Sequence, residues 1–124
     1  MIQLKQFKFE KLQVWELAMD YAEKIHQISS DFPTKELYNL QSQINRAADS
    51  IALNISEGAT GNSNAEFRKF LGYSIRSIAE VVCCLFKAQR RKYIDESIFN
   101  VFYSEAFMLM NRTAALKNSI KDKQ

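Results

Sequence analysis

Gln43-Ile44-Asn45-Arg46-Ala47-Ala48-Asp49-Ser50-Ile51-Ala52-Leu53-Asn54-Ile55-Ser56-Glu57-Gly58 reads as a helix made to lie close against another helix. Together with Leu37 and Leu40 upstream, Ile44, Ala47, Ile51 and Ile55 recur at offsets of three and four, which sets them on one helical face. Ala47, Ala48 and Ala52 keep that face thin, so a neighbour can approach closely. Gly58 is expected to stop the helix, because glycine accepts the left-handed backbone of a C-terminal cap. The residues after it, 59–63, are small and polar, and Ser63 or Asn64 is suited to cap the next helix.

Working outward, the same rhythm appears three more times. Val14, Ala18, Tyr21, Ile25, Ile28 and Phe32 alternate steps of four and three until Pro33 ends the block. Phe67, Leu71, Ser74, Ile78, Val81, Leu85 and Ala88 mark a third helix, with Glu66 in its first turn. Phe99, Phe102, Ala106, Leu109, Thr113, Leu116 and Ile120 mark a fourth, with Asp95 as its N-cap. Short breaks favour antiparallel neighbours. The expectation is an all-α, single-domain, antiparallel up-down-up-down four-helix bundle over 1–124, with helices near 10–32, 36–57, 64–91 and 95–121. Only the ends, Met1–Lys5 and Lys121–Gln124, look loose.

Composition agrees with that frame. A chain of 124 residues is normally one domain with one core, and 47% hydrophobic residues can fill it. Three glycines and one proline leave little material for a many-turned β protein. The formal net charge of +3 is too small to imply nucleic acid by itself. Met1 to Glu10 mixes lysines with Phe7 and Phe9 and lacks the apolar run of a signal peptide. No stretch approaches the length of a membrane span. The two cysteines, Cys83 and Cys84, are adjacent and cannot staple distant parts of the chain. A reducing, cytoplasmic location is expected.

The fourth helix carries more apolar surface than one bundle needs. Beyond its stripe it shows Ile98, Val101, Tyr103, Phe107, Met108 and Met110, and only Asn100, Ser104, Asn111 and Asn118 make a polar face. One reading is a thick monomeric core with Phe7 and Phe9 folded over it. The favoured reading is a subunit interface using Phe99, Val101, Phe107 and Met108, because monomers seldom expose large apolar patches.

Opposite the stripe of the third helix, a rotation of about 100° per residue aligns Lys69, Arg76, Lys87 and Arg90. The row would run about 30 Å at a rise of 1.5 Å per residue. Glu80 interrupts it, and Arg91 and Lys92 extend the charge into the next turn. Basic faces on helices are commonly solvated surface; the alternative is contact with nucleic-acid phosphates.

Catalytic chemistry finds little support. His26 is the only histidine, so no histidine pair can hold a metal. Glu16, Asp20 and Glu23 lack the Glu-x-x-His pairs of carboxylate-bridged metal bundles and read as a solvated face. Cys83 and Cys84 have no CxxC partner and read as packing residues. Gly58 to Gly61 has no phosphate-loop lysine. Trp15 and Tyr38, at helical spacing, read as core rather than base-stacking groups. Glu57, in the last turn before Gly58, opposes the helix dipole and invites a basic partner on another helix or subunit. No catalytic residue, metal or cofactor is expected.

Gln43-Ile44, Arg46-Ala47-Ala48, Ser50-Ile51, Asn54-Ile55 and Glu57-Gly58, followed by Glu66-Phe67, resemble the signature of the proteins encoded in intervening sequences of bacterial 23S rRNA genes. Phe9, Leu12, Val14-Trp15, Ala18, Phe32-Pro33, Glu36, Tyr38 and Leu40 match before it; Phe70-Leu71, Ser77-Ile78, Glu80, Leu85, Ala88 and Tyr93-Ile94 match after it. Arg76 and Lys92 stand where the family has glycines, and Ala52 where it has a proline. The resemblance implies a four-helix bundle assembled as a closed homo-oligomer, a pentamer, that associates with RNA or a ribonucleoprotein and carries out no catalysis. The alternative is a protein–protein scaffold with no nucleic-acid role.

Overall fold

The computed structural model describes residues 4–121. The loose ends expected at Met1–Lys5 and Lys121–Gln124 fall mostly outside that range. The described residues form one all-helical domain without strands: α1 (Gln13–Ser29), α2 (Leu40–Thr60), α3 (Asn64–Arg90) and α4 (Glu96–Ser119). Short 3-10 turns at Lys8–Lys11 and Thr34–Glu36 precede α1 and α2.

The polar and apolar periodicities explain why the helices pack as they do. Ile25, Ile44, Ile51, Ile55, Leu71, Ile78, Leu85 and Leu109 are among the fully buried side chains, and all belong to the expected stripes. Pairs between helices run in opposite directions. On α1 and α4, Gln13 receives a bond from Arg112, the Tyr21 hydroxyl donates to the carbonyl of Phe102, and Lys24 pairs with Glu105. Between α2 and α3, Ser50 donates to Ser77, Ser74 donates to the Ile51 carbonyl, and Gly58 faces Phe67 and Phe70. Across α3 and α4, Asn64 and Arg68 donate to the carbonyls of Lys121 and Ile120, and the Phe86 ring packs tilted against Phe99. Among the described residues, the α1 backbone runs beside α2 and α4, with no close backbone approach of α1 to α3 or of α2 to α4.

Two helix starts follow their sequence signals. Ser63 accepts the Glu66 N–H at 3.0 Å, and Asp95 accepts the Ile98 N–H at 2.8 Å. Three boundaries differ from expectation. First, α1 ends at Ser29, and Phe32 reaches the core from the following turn, its ring tilted against that of Tyr93. Second, α2 begins at Leu40 rather than at Glu36, because Glu36 ends the separate 3-10 turn that precedes it. Its carboxylate accepts the Leu40 N–H, leaving Leu37 exposed and Tyr38 fully outside at 92% exposure, so Tyr38 is not core. Third, the α2 helix continues through Gly58 to Thr60, and no glycine has positive φ.

Gly58 therefore has a packing role. A Cβ built there would lie 2.8 Å from the Phe70 Cβ and 3.3 Å from the Phe67 carbonyl oxygen. Glycine lets α2 and α3 close to a distance that a methyl group would obstruct. The break itself falls at Gly61–Ser63.

Candidate nucleic-acid and assembly surfaces

The exposed side of α3 carries Lys69, Arg76 and Arg90, with Lys87 half-buried beside them. Lys69 Nζ sits 5.9 Å over the Tyr73 ring. Among the described residues, Arg76 and Arg90 make no ion pair or hydrogen bond within the chain. Their guanidinium groups are thus available to a phosphate, which two parallel N–H donors match well. Glu80 is exposed in the same row.

Arg91 and Lys92 are different. Arg91 Nη1 donates to Glu36 Oε2 at 3.1 Å, and the Tyr93 hydroxyl donates to the same oxygen at 2.6 Å. Asn39 Nδ2 donates to Oε1 at 3.0 Å. Glu36 is only 5% exposed, and these bonds together with the Leu40 N–H satisfy it. The Tyr93 hydroxyl above all, then the Leu40 N–H, Arg91 and Asn39, hold the Glu36 carboxyl below the usual carboxylate range despite its burial. The same bond pushes the Tyr93 hydroxyl up. Arg91 is therefore occupied in tying the start of α2 to the end of α3. Lys92 is exposed but holds a left-handed backbone, φ 65°.

The expected interface residues of α4 also divide. Phe99 is 8% exposed and packs against Phe86 and Tyr103 of its own chain. It belongs to the core and offers little area to a partner. Val101 at 52%, Phe107 at 59% and Met108 lie on the surface. Phe107, Tyr103, Met110, Ala79 and Val82 line a groove of about 190 Å³ between α3 and α4.

A second groove lies between α1 and α2, and sequence reasoning missed it. It measures about 420 Å³ and is lined by Phe9, Trp15, Met19 and Leu53, with Glu23 and Asp49 on its walls. The Phe9 ring lies tilted against Trp15, centroids 5.1 Å apart, so the N-terminal aromatics cover this region and not α4. The available signal was Leu53, which falls two positions from both Ile51 and Ile55 and so cannot share their face.

The remaining candidates take structural places. His26 Nε2 lies 2.9 Å from Asp49 at the α1–α2 edge. Glu16, Asp20, Glu23, Arg46 and Glu57 are exposed, and Glu57 has no basic partner among the described residues. Cys83 is exposed; Cys84 is buried, and desolvation pushes its thiol up to about 11, away from the reactive thiolate. Among the described residues no group of three or more histidine, cysteine, aspartate or glutamate side chains could hold a metal ion. None of their helices is long and apolar enough to cross a membrane.

Fold and surface together define a small all-helical protein with a basic helix face and two exposed apolar grooves. The chain belongs to the family of 23S rRNA-intervening sequence proteins, whose pattern matches residues 10–115. Its fold is similar to that of a protein of unknown function from the S23 ribosomal protein family of Bacteroides thetaiotaomicron, solved by crystallography. The two share 19% identity over 85% of this chain and 95% of that one, with a TM-score of 0.79. At that identity the likeness concerns the fold alone. No curated protein matches the chain.

Proposed function

We propose that this chain is a non-enzymatic, cytoplasmic RNA-associated protein, an up-down-up-down four-helix bundle that assembles as a closed homo-oligomer, a pentamer by its family resemblance, and binds structured ribosomal RNA. The observation that carries the RNA reading is the row of Lys69, Arg76 and Arg90 along α3, with Arg76 and Arg90 free of partners among the described residues. Assembly repeats that row, so a charge of +3 per chain becomes a broad positive surface. Binding through phosphates releases counterions, weakens steeply with salt and reads little base sequence. A-form RNA, with its major-groove edges out of reach, suits recognition by shape.

The test is filter binding of a structured 23S rRNA fragment across a salt series, with wild-type protein and a Lys69→Glu, Arg76→Glu, Arg90→Glu variant. Wild-type protein should retain the fragment at low salt, and the variant should lose it while keeping helix content and mass. Each lost phosphate contact should flatten the salt slope by about one unit. Equal retention by the variant, or no retention by wild type, overturns the RNA reading in favour of a protein–protein scaffold.

A further inference from the structure

The two exposed grooves differ in chemistry. No charged side chain lines the α3–α4 groove, which is apolar throughout apart from the Tyr103 hydroxyl. The α1–α2 groove, about 420 Å³, falls within the size range of small-molecule sites, and its lining changes along its length. Phe9 and Trp15 form one end, their ring planes 58° apart. Glu23 and Asp49 are the acidic walls at the other, brought level by the His26–Asp49 pair between the antiparallel helices. Met19 and the 62%-exposed Leu53 lie between the two ends. Trp15 and Glu23 are eight positions apart on α1, about 12 Å at 1.5 Å per residue. No lysine or arginine lines the groove. His26 Nε2 holds both Asp49 oxygens, at 2.9 and 3.0 Å. Glu23 is exposed and has no ion pair or hydrogen bond among the described residues.

We infer that the α1–α2 groove binds an elongated organic cation, with an ammonium head beside Glu23 and Asp49 and an apolar tail running about 12 Å over Met19 and Leu53 to the Phe9–Trp15 end. Charge complementarity selects the head. A carboxylate or phosphate ligand would meet two acidic walls with no cation to offset them. A neutral ligand would dry the groove and leave Glu23 without a counter-charge, which is costly. An ammonium group supplies that charge, with three donors to divide between the two carboxylates. The floor selects the rest of the molecule. A small hydrated cation would leave Met19 and Leu53 in water, whereas a hydrocarbon chain removes them from it. The groove uses neither the cations of α3 nor the exposed residues of α4, so the inference stands apart from the RNA and assembly readings.

Trp15 is the only tryptophan of the chain and lines the aromatic end, so its fluorescence reports occupancy directly. The full chain is titrated with n-octylammonium chloride, and with 1-octanol and octanoate, which carry the same tail under a neutral and a negative head, all below micelle-forming concentrations. Octylammonium should give a saturable blue shift of the tryptophan emission, octanol a weaker one and octanoate none. Glu23→Gln removes the unpaired carboxylate and breaks no bond among the described residues, so helical circular dichroism and thermal melting should not change. It should weaken octylammonium by about threefold to fivefold, the upper range of an exposed ion pair, and leave octanol unaltered. Leu53→Arg, at an exposed position, places a cation in the floor and should abolish octylammonium binding with the fold intact. The site is overturned by the absence of a saturable shift, by an equal response of wild-type protein to octanol or octanoate, or by octylammonium affinity that is unchanged in either variant.

Discussion

Lys92 holds φ at 65°, a backbone state that costs a non-glycine residue about 1–2 kcal/mol. The turn it completes explains why the strain is tolerated. The Tyr93 N–H donates back to the Ala88 carbonyl and the Lys92 N–H to that of Gln89, closing the end of α3 in the two-bond pattern usually finished by glycine. Lys92→Gly should therefore stabilise the protein by about 0.5–1 kcal/mol, the strain relieved less the entropy that glycine adds to the unfolded chain. Chemical denaturation would check this, and a lower midpoint would sink it. Gly58 poses the opposite case. Alanine there would gain about 1 kcal/mol of helix propensity, yet its methyl would press on the Phe70 Cβ and the Phe67 carbonyl, atoms with little freedom to move. Overpacking of this kind costs about 1–3 kcal/mol, so Gly58→Ala should lower the melting temperature.

Helices are the scale at which the sequence was most legible, because burial imposes a period that composition alone shows. Asp95 and Ile78 sit where the pattern places them, one capping α4 and the other fully buried in α3. Ile78→Asp should unfold the domain, since an unpaired buried charge costs several kcal/mol against a total of about 5–15; persistent cooperative melting would contradict that. What periodicity could not show was contact at long range. Glu36 looked like the first residue of a helix, but its carboxylate is held by Arg91 and Tyr93, more than fifty positions away. Gly58 looked like a stop signal because its partner, Phe70, is close only after folding. The Glu36 cluster has a pH signature. A carboxyl held below its unfolded value stabilises the fold above the ordinary carboxylate range and loses that contribution as pH falls through the folded value. Glu36→Gln should melt earlier than wild type at neutral pH, and the gap should narrow on acidification. A constant gap would assign Glu36 a role independent of its charge.

On the scale of the whole molecule, the surface was legible only by halves. The basic row of α3 and the exposed Val101, Phe107 and Met108 follow from helical geometry, because each lies on a single helix. Phe99 stood both on the core stripe of α4 and among its interface residues, and burial assigns it to the first; Arg91 lies at the surface but is paired with Glu36, a partner that no helical period reveals. The α1–α2 groove needed two helices and the Phe9 segment to exist at all. If assembly repeats the α3 row around a ring, several weak phosphate surfaces act on one RNA, and linking sites in this way typically raises avidity by about 10²–10⁴. Phe107→Asp, on the exposed apolar surface of α4 that the assembly reading uses, removes no cation from α3 and changes the charge of each chain by only one. Filter binding at matched chain concentration should nonetheless show it retaining the rRNA fragment far more weakly than wild type, with a flatter salt dependence because fewer phosphates are neutralised at once. Retention equal to wild type by a monomeric Phe107→Asp protein would place the whole RNA site within one chain and separate assembly from binding.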